Sequence, residues 1–309
     1  MKLLFYSDMQ LSGKRPRHRV DDYPRALVTK MAEVYATASR HGCEFVVFGG
    51  DFFNSHRVFS YELICDAMEI VCGSDLVTYA IVGQHDVYGY NPETFKSSTL
   101  AFMTRLCPQF KVLWEPTTHG CVRLHASHVW DDLENSRRVS FDGSEYVEVL
   151  VAHHLLSKGK QMFDVVSTAD FGHGCPYDLV LSGDLHTGYP PHQVDSTWFA
   201  NPGAMARQKI AEIERPVRCA VIDVELGVDP IIEYIPVVSA QPGTKVFGES
   251  FTEVVRGTDA TTEFDPTTFL GIMEKFEATS ADIYELVRQA AHEARLKPAC
   301  LEYLMSKKS

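Results

Sequence analysis

Phe45-Val46-Val47-Phe48-Gly49-Gly50-Asp51 decides how this chain is read. Four apolar residues of mostly β-forming type predict a buried strand, and the glycine pair lets the backbone turn sharply after it. The turn delivers the Asp51 carboxylate to the strand's C-terminal end, where open α/β sheets keep their chemistry. The same grammar recurs through the first two-thirds of the chain. Phe5-Tyr6-Ser7 leads to Asp8, Ala80-Ile81-Val82-Gly83 to Gln84-His85-Asp86, Leu150-Val151-Ala152 to His153, and Val180-Leu181-Ser182-Gly183 to Asp184-Leu185-His186. Strands that repeatedly end in oxygen or imidazole donors predict one polynuclear metal site with Asp51 at its centre.

Helical patterns fill the gaps between these strands. The first is opened by Asp21 or Asp22, carries Pro24 in its first turn and closes near Gly42, with Leu27, Met31, Val34 and Ala38 on one face. Ser60 caps a second that ends at Gly73, and a third spans about 97–106, before Pro108. Strand–helix alternation of this kind indicates a largely parallel sheet. From 110 onward the pattern turns strand-rich, with strands expected at 111–114, 122–126, 146–152, 178–182 and 198–200. A closing hairpin is expected over 217–225 and 231–236 around Gly227. Composition changes after Gln241-Pro242-Gly243, so the division expected is a main domain over 1–240 and a C-terminal extension over 241–309. Helices at 265–277 and 280–295 and an apolar stripe at 301–305 suit packing onto the main domain or docking of a partner helix.

Composition narrows the function classes. With 309 residues, 45% hydrophobic and 23% charged, the chain can bury a substantial core. No apolar run reaches the roughly 18–20 residues needed to span a bilayer, so no membrane partner is expected. Eight cysteines are dispersed without a Cys-x-x-Cys pair, which argues against a thiolate zinc cluster or a disulfide framework and for a reducing cytoplasm. A net charge of −12 opposes nucleic-acid binding through a broad basic face. It leaves room for an enzyme that grips phosphate through metal ions, because bound cations are the largest local charges in such a site. Lys14-Arg15-Pro16-Arg17-His18-Arg19 is a basic loop close in sequence to Asp8, and suits phosphate contact or plain solvation.

Hard divalent ions take carboxylate, amide and imidazole ligands, and a two-metal site needs a bridging carboxylate. Asp51 is the natural bridge, Asp8, His186 and Gln10 suit one ion, and Gln84, His153 and Asp184 suit the other. Strand alternation puts only one of His153 and His154 into the site. His85, flanked by Gln84 and Asp86, is placed to protonate a leaving oxygen or hold a phosphate. A lone histidine or a turn aspartate is usually structural. The ordered set carries the argument.

The order Asp8-x-Gln10, Gly50-Asp51, Gly83-Gln84-His85-Asp86, Ala152-His153 and Gly183-Asp184-Leu185-His186 resembles the calcineurin-like metallophosphoesterases. It is most similar there to the SbcD-type exonucleases, through Gly50-Asp51-Phe52-Phe53, Arg19-Val20-Asp21-Asp22 and Asn201-Pro202-Gly203-Ala204-Met205 followed by Arg207. The resemblance covers about 1–240. It implies an α/β two-sheet sandwich flanked by helices, a small helical C-terminal extension, and a dinuclear, usually manganese-activated centre that hydrolyses DNA phosphodiesters. Carried over, Asp8, Gln10, Asp51 and His186 hold one ion and Asp51, Gln84, His153 and Asp184 the other. His85 is then the catalytic histidine; Asp86 beside it is expected to share that role, and Arg15, Arg17, Arg19 and Arg207 are the expected phosphate contacts. It also implies an SbcC-type coiled-coil ATPase partner, gripped through the C-terminal region, and allows a homodimer. Gln10 stands where the family has His, Gln84 where it has Asn, and Asp184 where it has the first His of Gly-His-x-His. These substitutes enrich the site in oxygen and favour Mn²⁺ or Mg²⁺ over Zn²⁺. Two other readings stay open: a phosphatase or cyclic-nucleotide phosphodiesterase on the same scaffold, and a subunit without productive metals that recruits the ATPase.

Overall fold

The computed structural model describes residues 1–141, 145–159 and 164–247. The helices expected at 265–277 and 280–295 and the apolar stripe at 301–305 lie outside the described residues. Met1–Phe247 form one compact unit. Residues 241–247 are part of it, with Val246 and Phe247 buried against Ile213.

Two six-stranded sheets make the body. The first contains β1 (Lys2–Tyr6), β2 (Phe45–Phe48), β3 (Val77–Ala80) and β4 (Phe110–Val112), all parallel. The second is built on β5 (Thr117–His119), β6 (Val122–Ser127) and β7 (Val147–Ala152). A small ribbon, β8 (Leu156–Ser157) with β9 (Val166–Ser167), precedes its remaining strands β10 (Leu179–Ser182), β11 (Tyr189–Val194) and β12 (Thr197–Asn201). The hairpin β13 (Arg218–Glu225) and β14 (Val228–Pro236) then returns to the first sheet, antiparallel to β1. The sheet orders are β14-β13-β1-β2-β3-β4 and β11-β12-β10-β7-β6-β5.

Period-two alternation assigns each strand's faces. In β1, Leu3 and Phe5 join Phe45, Val47, Val149, Val151, Leu179 and Leu181 in a layer between the sheets. Leu4 and Tyr6 point the other way, onto α1 (Tyr23–Arg40), α2 (Tyr61–Cys72) and α3 (Thr99–Leu106) through Leu27, Met31, Leu63, Ala67 and Leu100. Asp22 caps α1 by accepting from Arg25 N, and Ser98 caps α3 by accepting from Ala101 N. This is the helix-flanked two-sheet sandwich expected from the sequence.

Some details differ. β3 stops at Ala80, since residues 81–83 leave the ladder for the turn that carries Gln84. β11 was not among the expected strands; it is a sheet edge, where the missing N–H donors of Pro190 and Pro191 are tolerated. Cys72 and Cys107 are paired as a disulfide, with Cα atoms 5.7 Å apart, although nothing in their spacing points to a bond. One bond is not a framework, and Cys43, Cys65, Cys121, Cys175 and Cys219 are free. Among the described residues no helix is long and apolar enough to cross a membrane.

Candidate metal centre

The C-terminal ends of β1, β2, β3, β7 and β10 meet at one point, and each delivers its predicted donors there. Ligand atoms of Asp8, Asp51 and His153 all lie within 4.8 Å of one another, and all three residues are buried. His186 Nε2 is 3.6 Å from Asp8 Oδ1 and 3.2 Å from Gln10 Nε2. Gln10 Nε2 also donates to Asp51 Oδ2 at 3.4 Å. On the other side His153 Nε2 stands 3.6 Å from Asp51 Oδ1 and 2.7 Å from Gln84 Oε1. The Gln84 amide in turn donates to Asp184 Oδ1 at 3.0 Å.

The backbone is bent to achieve this. Among the described residues six non-glycines have positive φ, and four of them are Asp8, Gln10, Asp51 and Asp184. Such left-handed backbone costs on the order of 1–3 kcal/mol per residue and collects at functional sites. Two glycines make the close approach feasible. Gly50 has φ 96°, and a Cβ there would lie 2.7 Å from the His153 Cγ. At Gly83 a Cβ would strike Asp51 Oδ1 and come within 2.7 Å of His153 Nε2.

The donor set fits divalent cations. Asp8 Oδ1 and Gln10 Oε1 are buried with no hydrogen-bond partner, an expensive condition unless an ion takes them. Burial pushes the Asp51 carboxyl up, and Asp8 and Asp184 add to that against the opposing pull of His153. For His153, burial lowers the imidazole, but Asp51, Asp8 and Asp184 outweigh it and carry it up to about 9. Acidic groups crowded in a dry site hold protons that a metal would displace.

That gives a signed expectation. Asp51 and His153 both keep their protons to higher pH in the folded protein than when unfolded, so their contribution to metal-free stability is lost as pH rises, for Asp51 by about 7 and for His153 by about 9. The rise in melting temperature on adding Mn²⁺, relative to chelator, should therefore grow between pH 6.5 and 8.5. Apparent affinity should gain up to about tenfold per pH unit for each proton released. A thermal-shift titration checks it, and an increment that shrinks with pH overturns this account of the charges.

The structure separates the adjacent histidines. His153 Nδ1 meets the Gly49 carbonyl at 2.6 Å, turning Nε2 to Asp51. His154 instead meets Ser127 Oγ at 2.9 Å, and burial followed by the His153 charge lowers it to about 4. His85 stands at the open edge with its side chain 40% exposed, Nε2 3.7 Å from Asp51 Oδ2. Its Nδ1 meets the Asn54 carbonyl at 3.1 Å, which puts the proton of the neutral ring on Nδ1.

Three predicted residues do something else. Asp86 is buried and accepts from the backbone N–H of Gly83, Asp51, Phe52 and Phe53. It therefore ties two donor loops together and is not a reacting group. Arg19 is buried, paired through two nitrogens with Asp21, and donates its third to the Arg207 carbonyl at 2.8 Å. Arg207 is buried too, and burial with Arg215 and Arg19 nearby brings it down to about 10. Neither presents a surface guanidinium for phosphate, whereas Arg15 and Arg17 are exposed. Arg19 belongs to a clasp of cations over one ribbon. Arg215 donates to the carbonyls of Ala204 and Ala206, Lys30 to that of Met205 at 2.6 Å, and Arg19 to that of Arg207. The ribbon's other side bonds to β1's extension, Met205 N to Ser7 O and Ala206 N to Asp8 O.

Glu212 was missed by sequence reasoning. It holds His186 Nδ1 at 3.0 Å, orienting Nε2 toward the centre. Burial opposes its charge, but the His186 hydrogen bond and Arg215 prevail and hold it down at about 2. No motif marks it. Ser7 was also missed: its hydroxyl donates to Asp8 Oδ2 at 2.5 Å and so orients that carboxylate.

Fold and donor set together define a metallophosphoesterase. The chain belongs to the calcineurin-like phosphoesterase family, whose model matches residues 1–188 and so spans every predicted metal ligand. Among solved structures, a dimetal phosphatase from Danio rerio is similar over 77% of this chain and 96% of its own, at 10% identity and TM-score 0.52. TT1561 of Thermus thermophilus matches at 11% identity over 76% and 98% of the two chains, with TM-score 0.49. YfcE, a phosphoesterase from E. coli, matches at 13% identity over 78% and 96%, with TM-score 0.39. Only the first likeness supports the fold. No curated protein matches the sequence.

Proposed function

We propose that this metallophosphoesterase is a divalent-metal-dependent DNA nuclease, the SbcD-type partner of a coiled-coil ATPase in double-strand-break repair or recombination. The observation that carries the reading is the open side of the centre. His85 faces solvent there, beside Asp51, and the exposed basic stretch with Arg15 and Arg17 follows Leu11, which pairs with Phe53 on the Asp51 loop. An edge open to solvent and followed by cationic side chains suits a continuous phosphodiester strand.

Asp8, Gln10, Asp51 and His186 would hold one ion, and Asp51, Gln84, His153 and Asp184 the other, with Mn²⁺ the expected metal and Mg²⁺ an alternative. When bound, the ions supply Lewis-acid stabilisation of charge developing on the phosphoryl oxygens. The chain's own part is to fix the Asp51 carboxylate at the centre of the donor set, where both ions would take it, to orient His186 through Glu212 and His153 through the Gly49 carbonyl, and to present His85 Nε2 to the phosphate. Burial lowers the His85 imidazole. It is therefore neutral when free at neutral pH, and takes up a proton as an incoming phosphate dianion or diester raises it.

The test incubates the pure protein with Mn²⁺ and end-labelled single- and double-stranded DNA, beside a small chromogenic phosphodiester. DNA cleavage is expected, and His85→Ala should reduce it about 10²–10⁴-fold while retaining the Mn²⁺ thermal shift. Turnover of the small ester with intact DNA would instead assign a phosphodiesterase. Silence on both with no metal by elemental analysis would assign the recruiting subunit.

A further inference from the structure

Nearly every large aromatic side chain on the strands is buried, yet Phe59, Tyr61, Tyr88 and Tyr90 are 78%, 76%, 68% and 61% exposed. They sit on two loops that leave the metal centre together. The first continues from the Asp51 turn through Asn54 to the start of α2, and the second follows His85 and Asp86. Their roots are joined where His85 Nδ1 meets the Asn54 carbonyl. Farther out the rings of His56 and Tyr88 lie 5.4 Å apart, so the loops stay side by side.

A third loop flanks them. Leu11 bridges to Phe53, and Asn54 N donates to the Leu11 carbonyl at 3.0 Å. Gly13 packs so closely on Ser60 that a Cβ would come within 2.6 Å of Ser60 Cβ. Lys14, Arg15 and Arg17, all exposed, follow directly. Cations and solvent-facing rings therefore share one rim beside His85, although the whole chain carries −12.

Neither loop is a loose tether. Val58 N donates to Thr99 Oγ1 at 2.8 Å and Tyr88 N to Thr94 Oγ1 at 2.9 Å. Tyr90 holds φ 57°, a backbone setting uncommon for a bulky residue. Rings held outward on braced loops, next to positive charge, have the chemistry that recognises unpaired nucleotides: every base offers a π-face, and the cations track the phosphates. A folded protein seated on the same rim would cover the open side of His85.

Resting on the DNA reading, we infer that Phe59, Tyr61, Tyr88 and Tyr90 stack unpaired DNA bases and lead a single strand past His85. Lys14 and Arg15 contact its phosphates. On this assignment the strand that reaches His85 is unpaired along the rim.

The experiment uses the full chain in a His85→Ala background with Mn²⁺, and a short oligothymidylate carrying 2-aminopurine. Stacking should quench the probe on binding. Phe59→Ala with Tyr88→Ala should abolish the quench and weaken single-strand binding by about tenfold to several hundredfold, with a smaller loss for blunt duplex. Phe59→Tyr and Tyr88→Phe should restore both, and an unchanged Mn²⁺ thermal shift shows that the variants are folded. A double alanine variant that binds and quenches like its parent overturns the stacking rim and leaves the nuclease reading standing. The same holds if the variant instead separates a dimer by light scattering with the quench intact. If the wild-type chain neither binds nor cuts any DNA in Mn²⁺, the nuclease reading fails and the rim with it.

Discussion

Asp51→Asn should cost hydrolysis about a thousandfold or more while making the metal-free protein harder to melt. The two effects have one cause. Asp51 is completely buried, with Asp8 and Asp184 raising its carboxyl further after burial itself. Without cations burial outweighs the pull of His153 3.6 Å away, so folding penalises that charge, and a neutral isostere relieves the penalty. The gain should be about 1–3 kcal/mol at pH 8, a rise of several degrees for a unit of this size. The sign follows from the raised folded value: ionisation is easier in the unfolded chain, so the penalty is present above neutrality and vanishes at acidic pH. With cations the same carboxylate would be the ligand taken by both ions. Losing it removes several kcal/mol of transition-state stabilisation, which is the thousandfold. Melting in chelator at pH 8 and metal content by elemental analysis read the two halves. A variant that melts lower in chelator, or keeps full metal and rate, would refute the assignment.

Asp86→Ala should be the most destabilising substitution near the centre. Its carboxylate accepts four backbone N–H groups, from Gly83, Asp51, Phe52 and Phe53, all in buried surroundings. Each donor left without a partner costs roughly 1–3 kcal/mol, so about 4 kcal/mol or more is at stake. That is a large fraction of the roughly 5–15 kcal/mol that holds a domain together. Urea unfolding of the metal-free protein measures it. Asp86→Asn should fall between wild type and Asp86→Ala, because an amide oxygen can still accept. An alanine variant with an unchanged midpoint and only a slower reaction would return Asp86 to the catalytic group.

The strand-to-donor turns were legible because two independent signals coincide at each. An apolar run fixes the strand, and a glycine or an aspartate able to adopt left-handed backbone fixes the turn. Gly50-Asp51 and Gly183-Asp184 show both. Asp86 was misread because adjacency to His85 says nothing about which way a short 3-10 turn aims its side chains: His85 points out and Asp86 points in. Arg19, in a basic stretch, and Arg207, after a family-like segment, were misread because neither signal tells a surface guanidinium from one in an interior clasp. Their burial depends on Asp21, Lys30 and Arg215, brought together only by the fold. Glu212 left no trace in the sequence, since its meaning lies in a contact with His186 made across 26 residues. The pairing of Cys72 with Cys107 likewise needs the ends of α2 and α3 to meet.

The clasped ribbon at 204–206 has one more implication. Strand edges normally remain sticky, because their peptide groups solicit any extended segment that passes. Here Arg215 and Lys30 saturate the carbonyls, while His186, Ser7 and Asp8 occupy the amides of Ala204, Met205 and Ala206. Nothing can graft itself onto this margin by main-chain zippering. A molecule recognised at this ribbon has to be read by side chains.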